Sequence, residues 1–285
     1  MGAYIIRRVL VAIPLLLTIS LIMFYIIFSL GDPLARLRQN PRTSPEDIAR
    51  IEKLYGLDRP IYMQYFTWLG NTLRGDWGDS LVTRQAVIPT IRDRLGNTLT
   101  LMVTAYVVTL LIAIPIGLIS ALKQYSWFDH VVTGLSFVGF SLPVFVLGFL
   151  FIWLFSIKFK QWGLPSLPSG KMYDVRGERT LVELVKHMVL PVMTLALISA
   201  APLIRYLRAS VLEVLGQDYI RTARSKGLWQ SLIVRRHALK NAALPLVTLI
   251  LIQIAFLFSG AVVTESIYAW PGMGLLFIQS ATNVD

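Results

Sequence analysis

The chain contains no cysteine and only three histidines, and charged residues occupy 15% of its 285 positions, against roughly 25% in an average soluble domain. Without cysteine there are no disulfides, no thiolate nucleophile and no cysteine-ligated metal. His130, His187 and His237 are scattered, and no H-E-x-x-H, G-x-S-x-G or G-x-x-x-x-G-K-[ST] pattern occurs. The sequence therefore supplies neither recognisable hydrolase machinery nor a loop for nucleotide phosphates. The shortage of charge is uneven. Five runs have no Asp, Glu, Lys, Arg or His: Val9–Leu30, Thr98–Leu122, Val131–Ile157, Met188–Ile204 and Ala242–Thr264, of 22, 25, 27, 17 and 23 residues. All the charge lies between them, at an ordinary soluble density.

A helix rises about 1.5 Å per residue, so crossing a hydrocarbon core of about 30 Å takes about 20 apolar residues. Four runs meet that length and the fifth is near its lower limit. The pattern predicts an all-α polytopic membrane protein with five transmembrane helices. It excludes an ordinary soluble enzyme, a secreted disulfide scaffold, a disordered chain and a barrel of alternating strands. The first run is longer than a signal-peptide core, and no A-x-A-like site precedes Gly31-Asp32-Pro33, so it reads as a retained helix.

Three regions follow: an N-terminal tail and first span at 1–30, an external segment at 31–97, and a core at 98–285. The core has spans at about 98–122, 131–157, 188–204 and 242–264, and a cytoplasmic loop at 205–241. With the N-terminus inside, the inner segments hold 11 basic residues and the outer ones 16. Ten of the 16 lie in the 67-residue 31–97 segment, which is beyond the loop length that governs orientation; without it the comparison is 11 against six, favouring N-in. Within 31–97, Ser44-Pro45-Glu46-Asp47 reads as a cap, an N1 proline and a first-turn acid pair. Ile48, Ile51, Leu54 and Tyr55 follow at helical spacing before Gly56. A second amphipathic stretch holds Val87, Ile88, Ile91 and Leu95. The 158–187 segment, with Pro165, Pro168 and Gly170, reads as irregular.

The charge-free spans offer no buried group on which an ion gradient could act. If the protein transports, its energy arrives from another chain. The 205–241 loop is where that energy would enter. Asp218 is an N-cap candidate, Tyr219–Lys226 spans about 12 Å as a helix, Lys226 suits its C-terminal end, and Gly227 can take the left-handed stop. So short a helix is marginal in water and calls for a docking surface.

Asp218-Tyr219-Ile220-Arg221-Thr222-Ala223-Arg224-Ser225-Lys226-Gly227, followed by His237-Ala238-Leu239-Lys240-Asn241 and Pro245, resembles the coupling loop of ABC importer permeases of the dipeptide/oligopeptide type. Ile5-Ile6-Arg7-Arg8, Gly31-Asp32-Pro33, Tyr55-Gly56-Leu57-Asp58-Arg59-Pro60, Gly139-Phe140-Ser141-Leu142-Pro143 and Thr264-Glu265-Ser266-Ile267-Tyr268-Ala269-Trp270-Pro271-Gly272 are similar to the same family in the same order. The general importer pattern has E-A-A where this chain has Arg221-Thr222-Ala223, and its later proline is displaced to Pro245. Both departures resemble the peptide subclass.

The resemblance implies a multi-pass permease of the bacterial or archaeal cytoplasmic membrane that forms half of a translocation pathway. Its partners would be a second homologous permease, two cytoplasmic ABC ATPases, an external substrate-binding protein and the lipid bilayer, with no nucleic acid. It implies no cofactor bound by this chain, ATP and magnesium being on the ATPases, and a sixth span absent from this chain. Asp218, Tyr219, Arg221, Thr222, Ala223, Arg224, Lys226 and Gly227 would couple to an ATPase. Ser141, Pro143, Ser259 and Thr264 are candidates for the pathway. Glu265, Trp270, Pro271 and Gly272 are candidates for an external gate or dock. Nickel chelates, glutathione or another small solute remain alternative cargoes. An ion channel or a non-transporting scaffold is the alternative of another class.

Overall fold

A computed structural model describes residues 2–31, 34, 38, 44–80, 82–174, 177–234, 236 and 239–283, with backbone alone for 30, 243–245 and 256–260. Among them the regular structure is helical: α1 (Gly2–Leu30), α2 (Pro45–Leu54), α3 (Ile61–Leu73), α4 (Val87–Leu122), α5 (Trp127–Ser141), α6 (Val144–Phe151), α7 (Leu181–Leu215), α8 (Asp218–Ser225), α9 (Gln230–Ile233), α10 (Leu239–Ile267) and α11 (Met273–Asn283). Beyond α6 a π-helical stretch at Ile152–Lys158 and a short turn at Phe159–Gln161 carry the backbone on. Among the described residues four stretches, Gly2–Ser29, Val87–Leu122, Val144–Gln161 and Leu181–Leu215, are long and apolar enough to cross a membrane.

The helices outrun the charge-free runs because flanking polar residues still have helical propensity and caps. Thus α7 starts at Leu181 rather than Met188, where the Thr180 hydroxyl accepts from the Glu183 amide at 3.3 Å. Part of the 158–187 segment read as irregular is therefore helical. The 27-residue run at 131–157 is likewise not one helix. The chain turns extended at Leu142 and Pro143, since a proline disfavours helical geometry in the residue before it and supplies no amide. Pro14, Pro115, Pro191 and Pro202 lie inside continuous helices.

The chain divides into two compact units, Met1–Arg92 with Phe277–Asp285, and Asp93–Leu276. In the first, the Ser44 hydroxyl accepts from the Asp47 amide at 3.1 Å, Pro45 opens α2, and Gly56 takes φ +65° just beyond it. α1 meets α3 through Tyr65, whose hydroxyl lies 2.9 Å from that of Ser20. The Phe24 ring stands 5.5 Å from Tyr65 and 5.6 Å from Trp68.

The second unit is built around α7, of whose apolar stretch 67% is buried. Ala113, Ala121, Ala200, Leu203, Ile204, Leu207, Val211, Ala242 and Leu246 form one core, joining α4, α7 and α10. Leu101, Ala105, Met188, Val192, Leu195 and Trp270 form another. Small residues bring these helices together. A Cβ on Gly117 would stand 3.1 Å from the Ile204 carbonyl oxygen and 3.2 Å from Leu207, so α4 and α7 touch nearly backbone to backbone.

Candidate functional site

The short helix foreseen in the 205–241 loop is present as α8, one residue earlier than its sequence suggests. Gln217, not Asp218, holds the extended N-cap position, and no side chain caps it. The reason lies in how α7 ends. The Gly216 and Gln217 amides donate back to Leu212 and Val214 at 3.2 and 3.1 Å, which leaves Gln217 extended and puts Asp218 at the first helical position. There its carboxylate still favours the positive helix end, and it lies 3.5 Å from Arg221. At the other end the Gly227 amide donates to Arg224 and the Leu228 amide to Ala223, at 2.9 and 3.3 Å. Gly227 takes φ +75°, a conformation costly for residues with a Cβ.

One face of α8 is committed and the other free. Ile220 and Ala223 are buried with Ile233 from α9 and Leu215 from the end of α7. Tyr219, Arg221, Thr222, Arg224, Lys226 and Gly227 are exposed, and the Tyr219 hydroxyl accepts from Asn241 at 2.9 Å. α8 is therefore seated on the membrane helices by apolar contacts and presents a polar, basic surface. Beyond Leu228 the chain forms α9 and α10; His237 and Ala238 lie outside the described residues.

The gate candidates come together. Glu265 and Trp270 are fully buried, Gly272 is buried and Pro271 half-buried. One Glu265 oxygen accepts from the Thr98 hydroxyl at 2.6 Å, and the other accepts from the Gly274 and Leu275 amides at 2.7 and 3.1 Å. Thr98 in turn accepts from the Met273 amide at 2.7 Å. These are first-turn amides of α11, so Glu265 and Thr98 supply its missing caps. Trp270 Nε1 donates to the Asn97 carbonyl at 3.0 Å, and Asn97 Nδ2 donates to the Pro271 carbonyl at 2.8 Å. Ala269 at φ +47° makes the turn. A Cβ on Gly272 would fall inside the Glu265 carboxylate, so only glycine fits there. The neighbouring Tyr268 hydroxyl lies 2.8 Å from that of Thr194 and donates to the Gly148 carbonyl at 3.2 Å.

Of the pathway candidates, Ser141 and Pro143 flank the break between α5 and α6, and Ser141 donates to the Phe137 carbonyl at 2.9 Å. Thr264 is fully buried and its hydroxyl has no partner among the described residues. The side chain of Ser259 lies outside the described residues. Beside the break, Ile116, Ser136, Gly139, Leu147 and Ala201 help line a cavity of about 330 Å³.

A further cluster escaped the sequence reading. Asp129, 3% exposed, accepts from Arg208 Nε and Nη2 at 2.6 and 2.7 Å, from the Ser120 hydroxyl at 2.5 Å and from the Tyr125 amide at 3.0 Å. The Arg208 fork holds its carboxyl well below the usual carboxylate range, with Ser120 and Tyr125 acting in the same sense and burial opposing them. Ser126, three residues before Asp129, was the available signal, since its hydroxyl caps α5 by accepting from the Asp129 amide at 3.2 Å. Nothing local pointed to Arg208.

Together the helices and loop define a multi-pass all-α membrane protein with a short basic helix projecting from its loops. Residues 113–285 match the family described as binding-protein-dependent transport system inner membrane component, and residues 1–102 match the N-terminal membrane component of binding-protein-dependent transport systems. The chain belongs to this family and is an inner-membrane component of an ABC transport system. It is 40% identical to the oligopeptide transport system permease protein AppB of Bacillus subtilis, over 100% of this chain and 89% of that one. It is 36% identical to the dipeptide transport system permease protein DppB of Escherichia coli K12, over 99% and 88%. To the glutathione transport system permease protein GsiC of Escherichia coli K12 it is 35% identical, over 99% and 87%. These relatives are transport permeases, which are not enzymes.

Proposed function

We propose that the chain is one of two permease subunits of an ATP-driven importer of peptides, with its N-terminus and the 205–241 loop in the cytoplasm. The observation that supports this most is α8, with Ile220 and Ala223 buried against Leu215 and Ile233 while Tyr219, Arg221 and Arg224 face outward. The exposed face docks into a groove of a cytoplasmic ATPase, which binds ATP and magnesium, and the buried face passes ATPase closure to α7. An external binding protein delivers the cargo. The naming of AppB and DppB for oligopeptides and dipeptides favours peptide cargo. The likeness to GsiC supports glutathione as a second reading. Ser141 and Pro143 at the α5–α6 break, with Ser259 and Thr264 on α10, contribute to the pathway, and the Glu265–Gly272 turn closes its external end.

The test is reconstitution with the partner subunits. Proline cannot adopt the φ of Gly227, so Gly227→Pro unravels the C-terminal stop of α8. Insertion is expected to persist while transport is uncoupled from ATP hydrolysis. Normal substrate-stimulated hydrolysis and uptake by this variant would refute the role. Competition of labelled oligopeptide uptake by glutathione separates the two cargoes.

A further inference from the structure

We propose that the Asp129–Arg208 pair is the positioning joint that carries movement of α8 into the α4–α5 helical hairpin. The inference rests on the docking role of α8 proposed above and concerns residues outside that loop helix. Arg208 lies seven residues before Leu215, about 10 Å along α7, and Leu215 is where Ile220 of α8 is seated. The other side of the joint is the turn between α4 and α5. Ser120 belongs to the last turns of α4, Tyr125 to the connection at φ +61°, and Asp129 to the first turn of α5. One carboxylate therefore gathers α4, the connection, α5 and α7, with its oxygens taken by four donors.

The contacts nearby are of another kind. Along α4 and α7 the packing is of Ala113, Gly117, Ala121, Ala200, Leu203 and Leu207, apolar surfaces that set distance, and the Thr109 hydroxyl, bonded first to its own helix at Ala105, reaches the Ala196 carbonyl only at 3.4 Å, a weak restraint on sliding. A bidentate guanidinium–carboxylate contact fixes both position and orientation. When the end of α7 moves with α8, the α4–α5 turn must follow through Asp129, and α5 delivers that motion to its break at Leu142–Pro143. Without the joint, α7 can move past α4 and α5.

The absence of cysteine in the chain makes the test direct. Leu135, exposed on α5, is replaced in Leu135→Cys and carries a nitroxide, in the assembled complex whose partner subunits lack reactive thiols. With the pair intact, ATP is expected to change the nitroxide spectrum. The double variant Asp129→Asn/Arg208→Gln leaves no buried charge unpaired. It is expected to keep its ATPase subunits and hydrolyse ATP but to lose most of that spectral change. Arg208→Lys, which keeps the charge but loses the fork, is expected to fall between them. An unchanged ATP response in the assembled double variant would overturn the joint and leave the docking role of α8 standing. Absence of any ATP response with the pair intact would overturn both.

Discussion

Two buried carboxylates stand near opposite ends of the charge-free run of α4. Their hydroxyl partners, Thr98 and Ser120, are 22 residues apart, about 33 Å along a helix. Glu265 is held by a hydroxyl and two amides and has no cation partner among the described residues. Asp129 is held by a bidentate arginine, a hydroxyl and one amide. The difference matches what each carboxylate joins. Glu265 closes a turn of its own chain within ten residues and ties it to α4, so amides already at hand suffice. Asp129 reaches a residue 79 positions away on α7, and a long side chain with a rigid fork spans that separation. One carboxylate builds a cap, and the other builds a link between helices that lead to different parts of the molecule. Between them α4 and α7 meet mainly through small and apolar residues, with one long hydroxyl contact from Thr109 to the Ala196 carbonyl at 3.4 Å.

The largest effect is expected from breaking the link on one side only. Asp129→Leu leaves the half-buried Arg208 guanidinium, its side chain 25% exposed, without its carboxylate, a loss of about 3 kcal/mol, the low end for a buried pair, measured as a fall in the unfolding midpoint of the purified protein. The double variant Asp129→Asn/Arg208→Gln should recover much of that loss.

At the other end, Gly272→Ala pushes a methyl group into the Glu265 carboxylate. It should cost about 1–3 kcal/mol as an overpacked site does, and thermal unfolding of the variant would show it. Gly227→Ala, whose added Cβ meets open space, should cost about 1 kcal/mol through its positive φ.

The Asp129 link should also respond to acid. Arg208 depresses the folded value of Asp129, so ionisation of Asp129 contributes stability in full above the ordinary aspartate value of about 3.9. That contribution is lost as pH falls through that value toward the depressed folded one. In Arg208→Gln the depression is reduced and the contribution above pH 4 shrinks. Unfolding midpoints recorded from pH 7 to pH 4 should then lie below those of the parent. The smallest effect is expected from Trp270→Phe, which removes the bond to the Asn97 carbonyl at about 1 kcal/mol while keeping most of the apolar bulk.

What sequence could reveal divides along the same line. Charge-free runs mark apolar helices because composition alone excludes water-exposed structure, and α1, α4, α7 and α10 contain such runs. Gly227 was legible as a left-handed stop and Ser44 as a cap, both being local rules. The break at Leu142–Pro143 was hidden because Pro115, Pro191 and Pro202 sit in unbroken helices, so proline by itself does not say where a chain turns. The one-residue offset at Gln217 depended on how α7 ends. Glu265 was visible as a residue of interest, but its partner Thr98 lies 167 positions away. Arg208 looked like one more positive charge in a loop, and only the folded chain brings it to Asp129.

The docking role of α8 is tested most directly by proximity. Since the chain has no cysteine of its own, Arg221→Cys on the exposed face of α8 introduces its sole thiol. In the intact complex, a short bifunctional reagent should cross-link that thiol to the ATPase subunit. A control thiol at Leu73, exposed at the end of α3, should not cross-link. An active, fully assembled complex in which Arg221→Cys forms no cross-link to the ATPase, or forms it no better than Leu73→Cys, would contradict the role assigned to α8.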